Sequence, residues 1–131
     1  MKYTKFEELP IWKESLVITK IVYDLTSLVP FSKDFGLKDQ VRRAIVSVSS
    51  NIVEGFEKSN NNEFVRFLKI AKGSVGEVRN QFYIALEVGY VEKKEFEELN
   101  TKLEKLGANI GGLINYLEKF KKQQSAIRNS K

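Results

Sequence analysis

The side chains that chemistry usually needs are scarce in this sequence, which has no histidine and no cysteine. Without histidine it lacks the usual general base near neutral pH and the commonest metal ligand. Without cysteine it lacks thiolate nucleophiles, disulfides and thiolate metal sites. One polar constellation remains: Asn51 and Glu54 on one stretch, Ser74 and Glu77 on the next. Brought together across a helical hairpin, these four would form either a small-ligand pocket or a hydrogen-bonded network that fixes helix register. The network is the stronger reading, because a carboxylate pair alone is a weak mark of a pocket. No catalytic residue is assigned. Ser47, Ser49 and Ser50 have no base to activate them, and Gly73-Ser74-Val75-Gly76 lacks the spacing and the lysine of a phosphate loop. No metal or cofactor is expected, since di-iron bundles need Glu-x-x-His pairs.

The second constellation is cationic. Arg66, Lys69, Lys72 and Arg79 fall within about 140° of a helical wheel. Arg42 lies on the preceding helix, and Lys119, Lys121 and Lys122 crowd the end of the last one. Cations gathered this way hold phosphates with salt-sensitive affinity. The plainer reading is a solvated face paired with local acids such as Glu63 and Glu77. No aromatic residue interleaves with the stripe, so stacking on single-stranded bases is not supported.

Positioning either constellation falls to four amphipathic helices. The first is expected from Pro10, a residue suited to the opening turn, to Val29, with apolar residues on two faces: Leu9, Trp12, Leu16 and Tyr23, then Ile18, Ile21, Leu25 and Leu28. So much apolar girth predicts burial on more than one side. The second runs from Leu37 to Phe56 on Leu37, Val41, Ile45, Val48 and Ile52, with a small or polar stripe of Ser47, Asn51 and Gly55. The third begins at an Asn60…Glu63 capping pattern and ends near Val88 before Gly89. Its core face is Phe64, Phe67, Leu68, Ala71, Val75, Val78, Phe82, Ala85 and Leu86. Gly73 and Gly76 lie in its middle, which predicts a close contact there. The fourth carries an a/d seam of Phe96, Leu99, Leu103, Leu106, Ile110, Leu113, Leu117 and Phe120. Short connections make this an all-α, antiparallel up-down four-helix bundle over residues 1–121, with a basic polar tail over 122–131 expected to be disordered.

The 131 residues suffice for one domain with a core that needs no disulfide. The first eight residues contain no apolar h-region, so no signal peptide is expected, and no membrane span is expected either. The expected compartment is the cytoplasm. The formal charge of +5 is uneven: Lys119, Lys121, Lys122, Arg128 and Lys131 account for it, and the rest of the chain is formally neutral.

Two runs carry a family resemblance. One is Asp39-Gln40-Val41-Arg42-Arg43 continuing to Asn51-Ile52-Val53-Glu54-Gly55; the other spans Glu63 to Glu77. With Phe6-x-x-Leu9-x-x-Trp12 and Gly89-Tyr90, the chain resembles, over about residues 6–121, the bacterial four-helix proteins named for intervening sequences in large-subunit ribosomal RNA. The resemblance implies a compact bundle assembled as a ring-like homopentamer, with no established biochemical activity. A related branch supplies the accessory protein of diversity-generating retroelements, in which a basic pentamer binds reverse transcriptase and nucleic acid. That branch is strongly basic, whereas the body of this chain is formally neutral. The expected function is a non-enzymatic homo-oligomeric scaffold, an accessory to RNA or a nucleoprotein. The alternatives are a protein-only binding module and a small-ligand binder at the polar cluster.

Overall fold

A computed structural model describes residues 2–129, with side chains described as far as Phe120. Four helices form the bundle: α1 (Pro10–Thr26), α2 (Phe35–Glu57), α3 (Asn61–Glu87) and α4 (Lys93–Asn129). α2 packs along α3, α3 along α4, and α1 closes the square against α2 and α4. Among the described residues no helix is long and apolar enough to cross a membrane.

The helix ends follow from local hydrogen bonding. α2 starts two residues earlier than the apolar pattern implies, because the Asp34 carboxylate accepts the Leu37 N–H at 3.1 Å. The Tyr90 hydroxyl donates to the same carboxylate at 2.9 Å, which ties the α3–α4 turn to the start of α2 and raises the Tyr90 pKa. Asn60 caps α3 by accepting the Glu63 N–H at 3.0 Å. Gly89 takes φ +82°, and the Tyr90 N–H returns to the Ala85 carbonyl at 2.8 Å, closing α3 as expected of a C-terminal glycine. Before α1, a 3-10 turn at Phe6–Glu8 is held by the Glu8 carboxylate, which accepts the Thr4 and Lys5 N–H groups at 2.8 and 3.1 Å. Those bonds pull the Glu8 pKa below its ordinary value.

The core faces of α2 and α3 are those read from the sequence, with Val41, Ile45, Val48 and Ile52 meeting Phe64, Leu68, Ala71, Val75, Val78 and Phe82. Phe31, in the α1–α2 connection, is fully buried on Phe82 and Tyr90, with ring centroids 5.9 and 5.2 Å away. Two expectations need correction. First, α1 ends at Thr26, three residues before Val29. Residues before proline disfavour helical geometry, and the Thr26 hydroxyl turns back to the Val22 carbonyl at 2.8 Å. The buried face of α1 is Ile11, Ser15, Ile18, Val22 and Thr26, while Leu16, Tyr23 and Leu28 are exposed. Ser15 is tolerated there because its hydroxyl donates to the Trp12 carbonyl at 2.6 Å. Second, the α4 seam slips by one residue near its end: Ile114 is buried in place of Leu113, and Phe120 is 41% exposed. A helix of 3.6 residues per turn drifts by about 20° per heptad against a 3.5 repeat. α4 runs from Lys93 to Asn129. The two last residues lie outside those described.

Candidate functional site

The polar constellation assembles only in part. Ser74 is buried, and its hydroxyl lies 3.0 Å from that of Ser47 on α2. The Asn51 amide donates to the Ser47 carbonyl and hydroxyl at 2.8 and 2.9 Å. Every bond runs within or between α2 and α3, so the group fixes their register. Glu54 and Glu77 are exposed and take no part in it. Each lies about 60° round its helix from Asn51 or Ser74, which puts its carboxylate at the solvent edge of the hairpin interface. The small-ligand reading therefore has no converging carboxylates. Gln81, which the sequence reading passed over, is buried on α3, and its Oε1 has no hydrogen-bond partner. Its seven-residue spacing from Ser74 was the available signal.

The cationic constellation divides into residues with different tasks. Arg42 is committed to the C-terminus of α1: Nε donates to Thr26 Oγ1 at 2.9 Å, and Nη2 donates to Ser27 Oγ at 3.1 Å and to the Tyr23 carbonyl at 3.3 Å. Its guanidinium also lies 4.4 Å from the Tyr23 ring centroid. A cation there complements the negative end of the helix dipole. Arg42→Ala is therefore expected to lower stability by about 1–2 kcal/mol, read by denaturant titration. An unchanged midpoint would show that this clasp contributes nothing.

Arg66 pairs with Glu63 at 2.7 Å and stacks on the Phe67 ring at 4.5 Å. The pair raises the Arg66 pKa and lowers that of Glu63, because each favours the other's charged form. Lys69 reaches across to Glu118 on α4, 3.3 Å away. Lys72 and Arg79 instead line a groove between α3 and α4 with room for about 290 Å³. Among the described residues, Lys72 has no carboxylate within salt-bridge distance. Arg79 Nε donates to Asn100 Oδ1 at 3.0 Å, and the Asn100 amide donates to Glu104 at 2.9 Å. Lys119 is exposed, while the Lys121 and Lys122 side chains lie outside the described residues. A stripe 140° wide is too broad for one surface: its Arg66 edge faces solvent, and its Lys72 and Arg79 edge faces α4.

The outer surface also carries large apolar side chains. Leu16 (44% exposed) and Tyr23 lie seven residues apart on one face of α1. Val46 (41% exposed) lies one turn beyond Arg42 on α2, which clasps Tyr23, so these three residues share the outside of the α1/α2 pair. Ile70 in mid-α3, and Ile84 with Val88 at its C-terminal end, are exposed as well. Gly73 and Gly76 lie on the same helix, and a Cβ at either position would meet nothing within 4 Å, so the close contact expected there is absent within the chain. Adjoining apolar side chains left in water mark interaction surfaces.

Comparison with known proteins adds a family. Residues 7–112 match the family model of the 23S rRNA-intervening sequence proteins. Among solved structures, a similar one is a protein with unknown function from the S23 ribosomal protein family of Bacteroides thetaiotaomicron. It shares 22% identity with a TM-score of 0.74, covering 80% of this chain and 95% of that one. The likeness extends to the fold. The chain matches none of the curated proteins.

Proposed function

The chain belongs to the 23S rRNA-intervening sequence protein family, and from that premise we propose that it is a non-enzymatic, cytoplasmic interaction protein that assembles with copies of itself as a scaffold. The observation that carries this reading is the apolar outer face of α1 and α2 at Leu16, Tyr23 and Val46. A bundle of this size has no internal use for it, and a second copy offers the same chemistry in return. The resemblance favours a ring of five.

Light scattering across a concentration series tests the proposal directly. The wild-type protein is expected to be oligomeric, and Leu16→Glu combined with Val46→Glu is expected to give a monomer with an unchanged helical circular dichroism spectrum. A wild-type protein that stays monomeric at high micromolar concentration would overturn it.

A second reading adds RNA or a nucleoprotein as the partner of the scaffold. It is favoured by Lys72 and by the cations near the end of α4, which lack acidic neighbours in sequence beyond Glu118. Binding of structured RNA that weakens steeply with salt would support it. The protein-only alternative predicts a stoichiometric protein partner whose capture is insensitive to nuclease.

A further inference from the structure

We infer that the groove between α3 and α4 is a phosphate-binding site in which Lys72 and Arg79 are the two cationic arms. This deepens the RNA reading and rests on it only for the source of the phosphate.

Three features of the groove support the assignment. The first is room. Gly76 and Gly107 line it, and a Cβ on Gly76 would meet nothing within 4 Å, so the α3 backbone is open to an incoming group. The second is the way the arms are held. The Lys72 stem lies along Gly111, since a Cβ there would come 3.3 Å from Lys72 Cε. The stem is thus laid against α4, and the ammonium has no carboxylate within salt-bridge distance among the described residues. Arg79 is oriented by its Nε bond to Asn100. Its terminal nitrogens have no partner among the described residues, which leaves the two-pronged edge that suits phosphate oxygens. The third is separation. Seven helical residues place the two arms about 10 Å apart along α3, with Gly76 between them. Their anchors on α4, Gly111 and Asn100, lie eleven residues or about 16 Å apart along that helix, so the arms suit two phosphates of one ligand, one at each end of the groove.

Glu104 also lines the groove and opposes an anion. Its carboxylate accepts from the Asn100 amide at 2.9 Å, which holds it on the Asn100 side. Two cations against one carboxylate leave the groove net positive. Arg66 and Lys69, by contrast, are each already paired with a carboxylate, Glu63 and Glu118.

The test uses the full chain, with inorganic pyrophosphate and a short oligouridylate as separate probes and chloride at matched ionic strength as the control. Backbone amides of Gly76 and Gly107 are followed by NMR, and affinity by calorimetry. Lys72→Gln and Arg79→Gln are each expected to weaken binding about tenfold. Arg66→Gln is expected to change it less than about twofold and Glu104→Gln to tighten it about threefold. Circular dichroism confirms that each variant is folded. Binding of pyrophosphate alone, with these variant effects, assigns the groove to free phosphate compounds; binding of the oligouridylate with the same effects assigns it to a phosphodiester backbone. If RNA binds and neither Lys72→Gln nor Arg79→Gln changes its affinity, the groove assignment is overturned while the RNA reading stands. If neither probe moves the glycine amides beyond the chloride control, the groove is not a phosphate site.

Discussion

Leu106→Asp is expected to leave no stably folded chain at neutral pH, with loss of the cooperative thermal transition seen by circular dichroism. Leu106 has no accessible surface and sits in the α4 seam between Leu103 and Ile110, which have none either. Removing the leucine forfeits about 2–3 kcal/mol of burial. Ionised aspartate then adds a desolvation penalty of several kcal/mol, since among the described residues none that is buried is cationic. Together these approach the roughly 5–15 kcal/mol by which a domain of this kind is stable. The sign with pH follows from the same cost. Burial disfavours the charged carboxyl, so its folded pKa is raised and the penalty shrinks as pH falls and the group is protonated. The variant should therefore regain helicity on mild acidification. A near-wild-type melt at neutral pH would show that the seam runs through other residues.

Gly55→Ala carries the second large effect, with a sign opposite to helix propensity. Alanine is favoured over glycine in a helix by about 1 kcal/mol. At Gly55, however, an added Cβ would lie 2.7 Å from Phe67 Cβ, 3.1 Å from Phe64 Cδ1 and 3.3 Å from the Phe64 carbonyl oxygen. A Cβ and a backbone oxygen cannot swing aside as the end of a flexible side chain can, so α2 and α3 must separate at their connected end. Overpacking of this kind costs about 1–3 kcal/mol, and we expect a net loss of about 2 kcal/mol in urea titration. Gly73→Ala is the matched control. Nothing lies within 4 Å of its Cβ, so in the monomer it should be neutral or up to about 1 kcal/mol stabilising. Stabilisation at Gly55 would show that the helices are free to move apart.

Much of the fold was legible because its signals are local. The spacing of Val41, Ile45, Val48 and Ile52, and of Phe64 through Phe82, is a period of one helix turn written along the chain. It marks a core face whatever that face packs against. Asn60 and Gly89 announce the ends of α3 through the conformations their side chains, or lack of one, permit. Where α1 put apolar residues nearly all round, that signal lost its discrimination. The buried face proved to contain Ser15 and Thr26, because their hydroxyls bond to carbonyls of their own helix. The exposed face kept Leu16 and Tyr23.

The candidate site was legible only as a set of residue types. The sequence alone established a disulfide-free helical bundle without histidine or thiol chemistry, together with a broad band of cations on its third helix. Which of those cations are occupied was decided by the tertiary structure. The partners of Arg42, Lys69 and Arg79 lie on other helices, at Thr26, Glu118 and Asn100. Contacts between helices depend on rotation and axial register, which the periodicity of any single helix leaves free. Packing of the apolar faces settled both, and in doing so set Lys72 and Arg79 along an open groove while turning Glu54 and Glu77 out to solvent.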